Sequence, residues 1–179
     1  MIDTSEILVS HEQIVEMTDR VSAEINRDYK GKKLVVIGIL TGAFVFTADL
    51  VRKLDMPVLV DFMQASSYVG ENSTGRLVIK KDISTDIKGL DVLIVEDIVD
   101  TGRTLAALKE MLLQRSPASV RICTAFDKPD RRTNDLKPDY NGIVVPDKFI
   151  VGYGLDLDGE YRNFDEVRIV KRDINTEDR

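Results

Sequence analysis

The sequence predicts an α/β fold in which a largely parallel central sheet is flanked by helices. Two short, continuous apolar runs, LVVIGIL from Leu34 to Leu40 and VLIV from Val92 to Val95, are the kind of segment that becomes a strand buried on both faces. Each is followed, after a glycine-containing loop, by a segment with helical spacing, and strands alternating with helices at this interval argue for parallel crossovers. The 179 residues suit one compact domain spanning residues 1–179, and 43% apolar side chains suffice for a core.

The elements follow in order along the chain. Ser10 with Gln13 three places later has the pattern of a capping box, and Ile14, Met17, Val21 and Ile25 then recur at helical spacing, so a first amphipathic helix runs to the neighbourhood of Lys30 and Gly31. Leu34–Leu40 is a strand, bounded by KGKK before it and Thr41-Gly42 after it. Ala43–Leu54 reads as helix, Pro57 punctuates its end, and Val58–Ala65 resumes strand chemistry. The polar stretch Ser66–Gly75 has two glycines and no helical period, which suits either a hairpin connection or a functional lid. LVIKK is its return strand. Gly89-Leu90-Asp91 introduces Val92–Val95, and Thr104–Gln114 places Leu105, Leu108, Met111 and Leu112 on one helical face. Ser119–Phe126 is strand again, and no repeat, low-complexity tract or linker interrupts the chain.

Composition removes several function classes. Lys plus Arg number 25 against 31 Asp plus Glu, a net charge of −6, which argues against nucleic acid or anionic lipid as a partner. The stretch MIDTSEILVSHEQ has acidic residues and no signal-like apolar region, and no window approaches the roughly 18 apolar residues of a membrane span, so a cytoplasmic protein is expected. Cys123 and His11 are each the only residue of their kind, so an intrachain disulfide and a Cys/His zinc cage are excluded, as is a histidine triad unless His11 serves. His11 reads as solvated beside the helix cap, and Cys123, between apolar neighbours, as a buried small hydrophobe.

Chemistry concentrates in VLIVEDIVDTGRTL, Val92 to Leu105. A buried strand delivers Glu96 and Asp97 at its carboxyl end, where parallel sheets bind ligands. Asp100-Thr101-Gly102-Arg103-Thr104 then enters a helix, bringing unpaired N–H groups, hydroxyls and a close-approach glycine to a positive terminus suited to phosphate. The neighbouring carboxylates would repel a bare phosphate, so a divalent cation or a ribose diol must accompany it; Mg2+ with a sugar phosphate meets both demands. Other phosphate and metal motifs fail: no Walker A loop exists, too little chain follows VLIVED for a receiver domain, and Gly152-Tyr153-Gly154 lacks the dinucleotide spacing. Asp156-Leu157-Asp158-Gly159 misses the calcium-loop pattern at both its first position, Gly154, and its twelfth, Asp165.

VEDIVDTGRT resembles the 5-phosphoribosyl-1-pyrophosphate motif of type I phosphoribosyltransferases, and its Glu-Asp-x-x-Asp-Thr-Gly form is similar to the hypoxanthine-guanine branch. LTGAFVFTADL, VDFMQASSYVGENSTG, Lys128 and PDKFIVGYGLDLDGEYRN appear in the order that family shows, so the resemblance covers most of Leu34–Asn163. It implies a type I phosphoribosyltransferase-like fold with a mobile antiparallel loop and a small hood. It also implies transfer of phosphoribosyl from the pyrophosphate donor to N9 of hypoxanthine or guanine, through a ribosyl oxocarbenium-like transition state that needs no protein nucleophile.

The resemblance implies roles as well. Glu96 and Asp97 face the ribose hydroxyls and a first magnesium, and Asp100, Thr101, Gly102, Arg103 and Thr104 hold the 5-phosphate. Asp100 also acts as the general acid/base near purine N7, against the plainer reading that it only caps the next helix. Lys128 donates to the purine 6-oxo group, Phe149 stacks on the base, and Ile150 offers its carbonyl to the exocyclic amine. On pattern alone, Phe149 would be a core residue and Lys128 a solvated cation. Asp156 holds a second magnesium beside the purine site and Arg162 contacts pyrophosphate, the alternative for Asp156, Asp158 and Glu160 being an acidic solvated turn. Thr41-Gly42 falls on the pyrophosphate-contacting loop, often built with a non-proline cis peptide; many members have lysine where this chain has Thr41, so backbone amides rather than that side chain make the contact. Ser67 and Tyr68 match the Ser-Tyr pair of the closing lid, which favours the lid for Ser66–Gly75. A homodimer or homotetramer is implied too. The competing readings are a xanthine- or guanine-preferring relative, and a donor-sensing nucleic-acid-binding regulator, which the acidic charge and the retained Asp100 oppose.

Overall fold

The structure, a computed structural model, describes residues 2–67 and 77–172. Its central sheet has six strands: β3 (Leu34–Leu40), β4 (Val58–Ser67), β5 (Leu77–Lys81), β6 (Asp91–Val99), β7 (Ser119–Asp127) and β8 (Tyr140–Val144). The spatial order is β5-β4-β3-β6-β7-β8, parallel throughout except for β5, which returns antiparallel along β4. β4 and β5 are thus paired antiparallel arms, Ser67 ending β4 opposite Leu77. Residues 68–76, Tyr68 among them, lie outside the described residues.

Burial explains why the apolar runs are continuous. Alternate residues of each central strand point to opposite faces, and both faces are covered. Leu34 and Val36 of β3, Leu93 and Val95 of β6, and Cys123 and Ala125 of β7 pack under helices α1 (His11–Asp28) and α2 (Phe44–Val51). Val35, Ile37 and Ile39, with Val92, Ile94, Val120 and Ile122, face α3 (Arg103–Leu113) through Leu105, Leu108 and Leu112. Cys123 is fully buried, and that burial pushes its thiol pKa up; His11 is exposed, 3.7 Å from Asp165.

Local differences from the expected boundaries have local causes. The α1 capping box forms, with Ser10 Oγ accepting from Gln13 N–H and Gln13 Oε1 accepting from Ser10 N–H at 2.9 Å, and Tyr29 caps the far end. Helix α2 stops at Val51 rather than Leu54 because Lys53 and Leu54 donate to Leu50 and Val51 in tighter turns. Strand β6 runs four residues beyond Val95, since Glu96, Ile98 and Val99 keep pairing with Thr124, Phe126 and Asp127 of β7. Glu96 and Asp97 therefore lie within a strand, and the loop begins at Asp100.

A small hood unites the ends of the described chain. β2 (Ile7–Val9), β9 (Ile150–Val151) and β10 (Val167–Ile169) form an antiparallel sheet in the order β2-β10-β9, beside the short pair β1 (Ile2–Asp3) and β11 (Lys171–Arg172). Among the described residues no helix is long and apolar enough to cross a membrane.

Candidate active site

The site is built on the carboxyl ends of β3, β6 and β7, where three loops meet. After β3 the Leu40–Thr41 peptide is cis, and Gly42 lies directly against Asp97. A Cβ at Gly42 would stand 1.6 Å from Asp97 Oδ2, closer than any side chain could come. The packing continues outward: a Cβ at Gly154, whose φ is +97°, would lie 2.0 Å from the Gly42 carbonyl oxygen. Asp97, the Thr41-Gly42 turn and Gly154 are thus stacked with no room for a β-carbon between them.

Glu96 and Asp97 are half-buried neighbours on this stack. Asp97 N–H donates to Glu96 Oε1 at 3.2 Å and Ile98 N–H to Asp97 Oδ1 at 2.7 Å. Burial, then the adjacent Asp97 charge, raises the Glu96 carboxyl well above the usual range; burial also raises Asp97, against the hydrogen bonds that favour its charged form. Two carboxylates so placed favour a cation or hydroxyl donors as a third party.

The loop after β6 keeps most of its donors free. Gly102, at φ +76°, starts α3 and has no side chain with which to cap it; the Arg103 N–H reaches Thr101 Oγ1 at 3.5 Å, and the next N–H groups at the helix start have no intrahelical partner. They border a hollow of about 110 Å3 lined by Glu96, Asp100, Thr101, Gly102 and Thr104, among others. The capping role considered for Asp100 is not what the structure shows, because Asp100 turns instead to Arg131, whose Nε lies 2.9 Å from its Oδ1. A larger hollow of about 590 Å3 lies between α1, α2 and residues 162–165, but of the candidate donor- and purine-binding residues it contains Arg162 alone. Size does not locate the chemistry here; donors and charge do.

On the β7 side, pattern and structure disagree in an informative way. Lys128 is only 6% exposed, its N–H bonded to Val99 O at 2.9 Å and its Nζ to Lys148 O at 2.7 Å, whereas Phe149 is 53% exposed. The cation is buried and the aromatic ring is open, opposite to what local pattern alone suggests. An ammonium has three donors, so the Lys148 carbonyl leaves two unspent. Ile150 is buried in β9, paired with Ile169. Arg162 spans the far side, Nη1 donating to Gly154 O at 2.6 Å and Nη2 lying 2.8 Å from Asp156 Oδ1; Asp156 Oδ2 accepts from Gly159 N–H at 2.8 Å. Asp158 and Glu160 are exposed. Asp156 is not gathered with Glu96 and Asp97 into a three-carboxylate group, and among the described residues no cluster of three or more His, Cys, Asp or Glu could hold a metal.

Sequence reasoning missed a set of residues just after Lys128. Thr133 donates from both N–H and Oγ1 to Thr101 O, at 3.1 and 3.2 Å, and its hydroxyl accepts from Arg103 Nε at 3.0 Å. Arg132 and Asn134 pack where a Gly102 Cβ would be, and Arg132 forms a nearly buried ion pair with Asp127. The segment 131–134 thus clamps 100–103 residue by residue. In sequence it is a run of charged and polar residues, DRRTN, that resembles any solvated loop.

A family model of the phosphoribosyl transferase domain matches residues 4–158. A hypoxanthine-guanine phosphoribosyltransferase of Streptococcus pneumoniae is 43% identical over 173 residues, 96% of each chain. Crystal structures of a hypoxanthine-guanine phosphoribosyltransferase from Bacillus anthracis and a hypoxanthine phosphoribosyltransferase from Staphylococcus aureus are each 41% identical. They superpose with TM-scores of 0.90 and 0.92, covering 96% and 98% of this chain and 100% and 96% of theirs. With motif, topology and site geometry in agreement, the chain belongs to the phosphoribosyl transferase domain family, among its hypoxanthine-guanine phosphoribosyltransferases.

Proposed function

We propose that residues 1–179 work as one phosphoribosyltransferase domain that moves phosphoribosyl from 5-phosphoribosyl-1-pyrophosphate to hypoxanthine or guanine, serving purine salvage. The bond from C1′ of the ribose to purine N9 forms as the bond from C1′ to pyrophosphate breaks, giving IMP or GMP and pyrophosphate. The observation that supports this reading most is three complementary surfaces past the carboxyl ends of β6 and β7: a helix start with free N–H groups, an acid pair, and an open aromatic ring on the loop that a buried ammonium holds.

Each surface has a task. Asp100, Thr101, Gly102, Arg103 and Thr104 receive the 5-phosphate on backbone N–H groups and hydroxyls. Glu96 and Asp97 accept from the ribose hydroxyls. Lys128 gives a remaining donor to the purine 6-oxo group, Phe149 stacks on the base, and the Ile150 carbonyl faces its 2-position. The Thr41 and Gly42 amides and Arg162 hold the pyrophosphate. Asp100 takes or shares the proton at N7 as N9 becomes nucleophilic, and Ser67 and Tyr68 close over the centre to exclude water.

The donor set fits Mg2+ in a particular way. Glu96, Asp97 and Asp156 offer hard oxygen ligands, but both Asp156 oxygens already have partners and no protein cage is assembled among the described residues. Magnesium is typically bound by one or two carboxylates together with substrate phosphates and water, which suits an ion that arrives with the donor. When bound, it supplies charge neutralisation at the leaving pyrophosphate. A homodimer or homotetramer in the cytoplasm is part of the same reading.

The test is magnesium-dependent nucleotide formation with hypoxanthine, guanine, xanthine, adenine and uracil offered separately to the wild type and Asp100→Asn. Turnover of hypoxanthine and guanine, slowed about 10²-fold or more in the variant, is expected from general acid/base catalysis. Preference for xanthine would reassign the base. Donor binding without turnover of any base, together with salt-sensitive retention on RNA, would replace the enzyme with a donor-sensing regulator.

A further inference from the structure

The carboxylate of Asp100 has two unlike oxygens. Oδ1 is sealed from solvent and has no well-aligned hydrogen bond among the described residues, although the side chain is 42% exposed. Its accessible part therefore lies away from Oδ1, on the side of Oδ2. The ionic neighbour of Oδ1 is Arg131, with Nε at 2.9 Å, and the same guanidinium places Nη1 3.4 Å from Asp147 Oδ1. Arg131 closes the short 3₁₀ turn Pro129–Arg131 directly after Lys128, its N–H donating to Lys128 O at 3.1 Å, and Asp147 stands two residues before Phe149. One side chain thus joins the phosphate loop, the turn that carries the buried ammonium and the loop that carries the open aromatic ring.

We propose that Arg131 is a positioning residue for Asp100. It anchors Oδ1 so that Oδ2 is the oxygen presented to the base, and through Asp147 it ties that orientation to the Phe149 loop. The proposal rests on Asp100 being the proton carrier. Both partners of the pair are more than two-fifths exposed, so solvent screening leaves the contact little weight in folding stability; its effect is on orientation. The residue type matters, because a planar guanidinium addresses the two carboxylates with two different nitrogens held in a fixed geometry, while the three donors of a lysine ammonium share one freely rotating nitrogen and fix neither carboxylate's orientation.

The experiment measures kcat and both KM values for Arg131→Ala, Arg131→Lys, Asp147→Asn, Asp100→Asn and the Asp100→Asn/Arg131→Ala pair, with melting temperatures alongside. Misorienting a reacting group is expected to lower kcat of Arg131→Ala about tenfold while donor KM stays within about twofold. Arg131→Lys should recover part of the loss, Asp147→Asn should show a smaller loss, and Arg131→Ala should have no further effect once Asp100 is Asn. Unchanged kcat in a folded Arg131→Ala, with Asp100→Asn slowed, overturns the proposal alone. Losses that multiply in the double variant overturn it as well. An Asp100→Asn enzyme as fast as wild type overturns the proton-carrier reading first, and the role of Arg131 with it.

Discussion

Replacing Gly42 by alanine probes the tightest contact in the site. The added methyl carbon would lie 1.6 Å from Asp97 Oδ2 and 2.5 Å from its Cγ, so a normal carbon–oxygen separation requires Asp97 or the turn to move by about 1.5–2 Å. Strain of this type is worth about 1–3 kcal/mol. For a domain of this size that corresponds to a fall in Tm of roughly 2–4 °C per kcal/mol. Activity should suffer more than stability, because a displacement of about 1 Å at a reacting centre can lower the rate some 10²-fold. The measurements are initial rates of nucleotide formation and a thermal melt, with Gly31→Ala as the control. Gly31 has φ +75° but nothing within 4 Å of its added carbon, so it reports backbone strain without crowding and should leave the rate unchanged. A Gly42→Ala enzyme within twofold of wild type would refute the reasoning, because a functional Asp97 could not then depend on this contact.

Two further outcomes test how the site is supported. Asp61, nearly buried on β4, accepts at Oδ2 from the N–H and hydroxyl groups of both Ser84 and Thr85, and these bonds outweigh its burial and hold its carboxyl well below the usual range. A depressed folded-state pKa gives stability that is present above the unfolded value and lost as pH falls through the acid range, so Asp61→Asn should destabilise at pH 7 by about 1–3 kcal/mol. The variant should also flatten the stability curve below roughly pH 4, and denaturant melts from pH 7 to pH 3 with parallel curves for both proteins would exclude the assignment. Thr133→Val removes the hydroxyl that donates to Thr101 O and accepts from Arg103 at nearly constant shape, and donor KM should rise severalfold, a loss of about 1 kcal/mol per hydrogen bond, with Thr133→Ser restoring it. Steady-state titration of donor and base separately checks this; an equal rise in both KM values would place the clamp elsewhere.

What could be read from the chain depends on how local the determining interaction is. The centre of the sheet announces itself because strands buried on both faces must be apolar throughout, and Leu34–Leu40 and Val92–Val95 have few alternatives, whereas the edge strand β8 (Tyr140–Val144), only partly buried, escaped the sequence reading. The phosphate loop was equally legible, since strand end, acid pair, glycine and helix start lie within fourteen consecutive residues. The hood was expected through the family resemblance alone and not from residue pattern: its strands are two or three residues long, and Val9 finds its partner at Val167, across almost the whole chain. Lys128 and Phe149 show the same limit at single residues. In DKPD the lysine looks solvated and in KFIV the phenylalanine looks buried, and only the meeting of β7 with the Phe149 loop reverses both. Arg131 gave no signal, because a guanidinium in a charged run acquires meaning from the carboxylates it meets in space.

The two halves of the site are held by different physics, and that difference follows the chemistry. Asp97, Gly42 and Gly154 are fixed by close packing, in which glycines let backbone approach a carboxylate and another backbone without side chains between them. Under the proposed function this half places the leaving group, where a small displacement is expensive. The half proposed for the 5-phosphate and the purine is held by polar contacts instead: Lys128 by a carbonyl, Asp100 by Arg131, Thr101 by Thr133. Such contacts orient groups while leaving some of their donors and acceptors available, as with the two remaining hydrogens of the Lys128 ammonium and the open side of Asp100. A base that must enter, exchange a proton and leave as part of a larger product is better served by partners that can share hydrogen bonds than by a packed wall. Under the proposed function the tightest packing, at Gly42 and Gly154, therefore falls on the side where pyrophosphate departs, and hydrogen-bonding capacity is kept on the side where the new glycosidic bond forms.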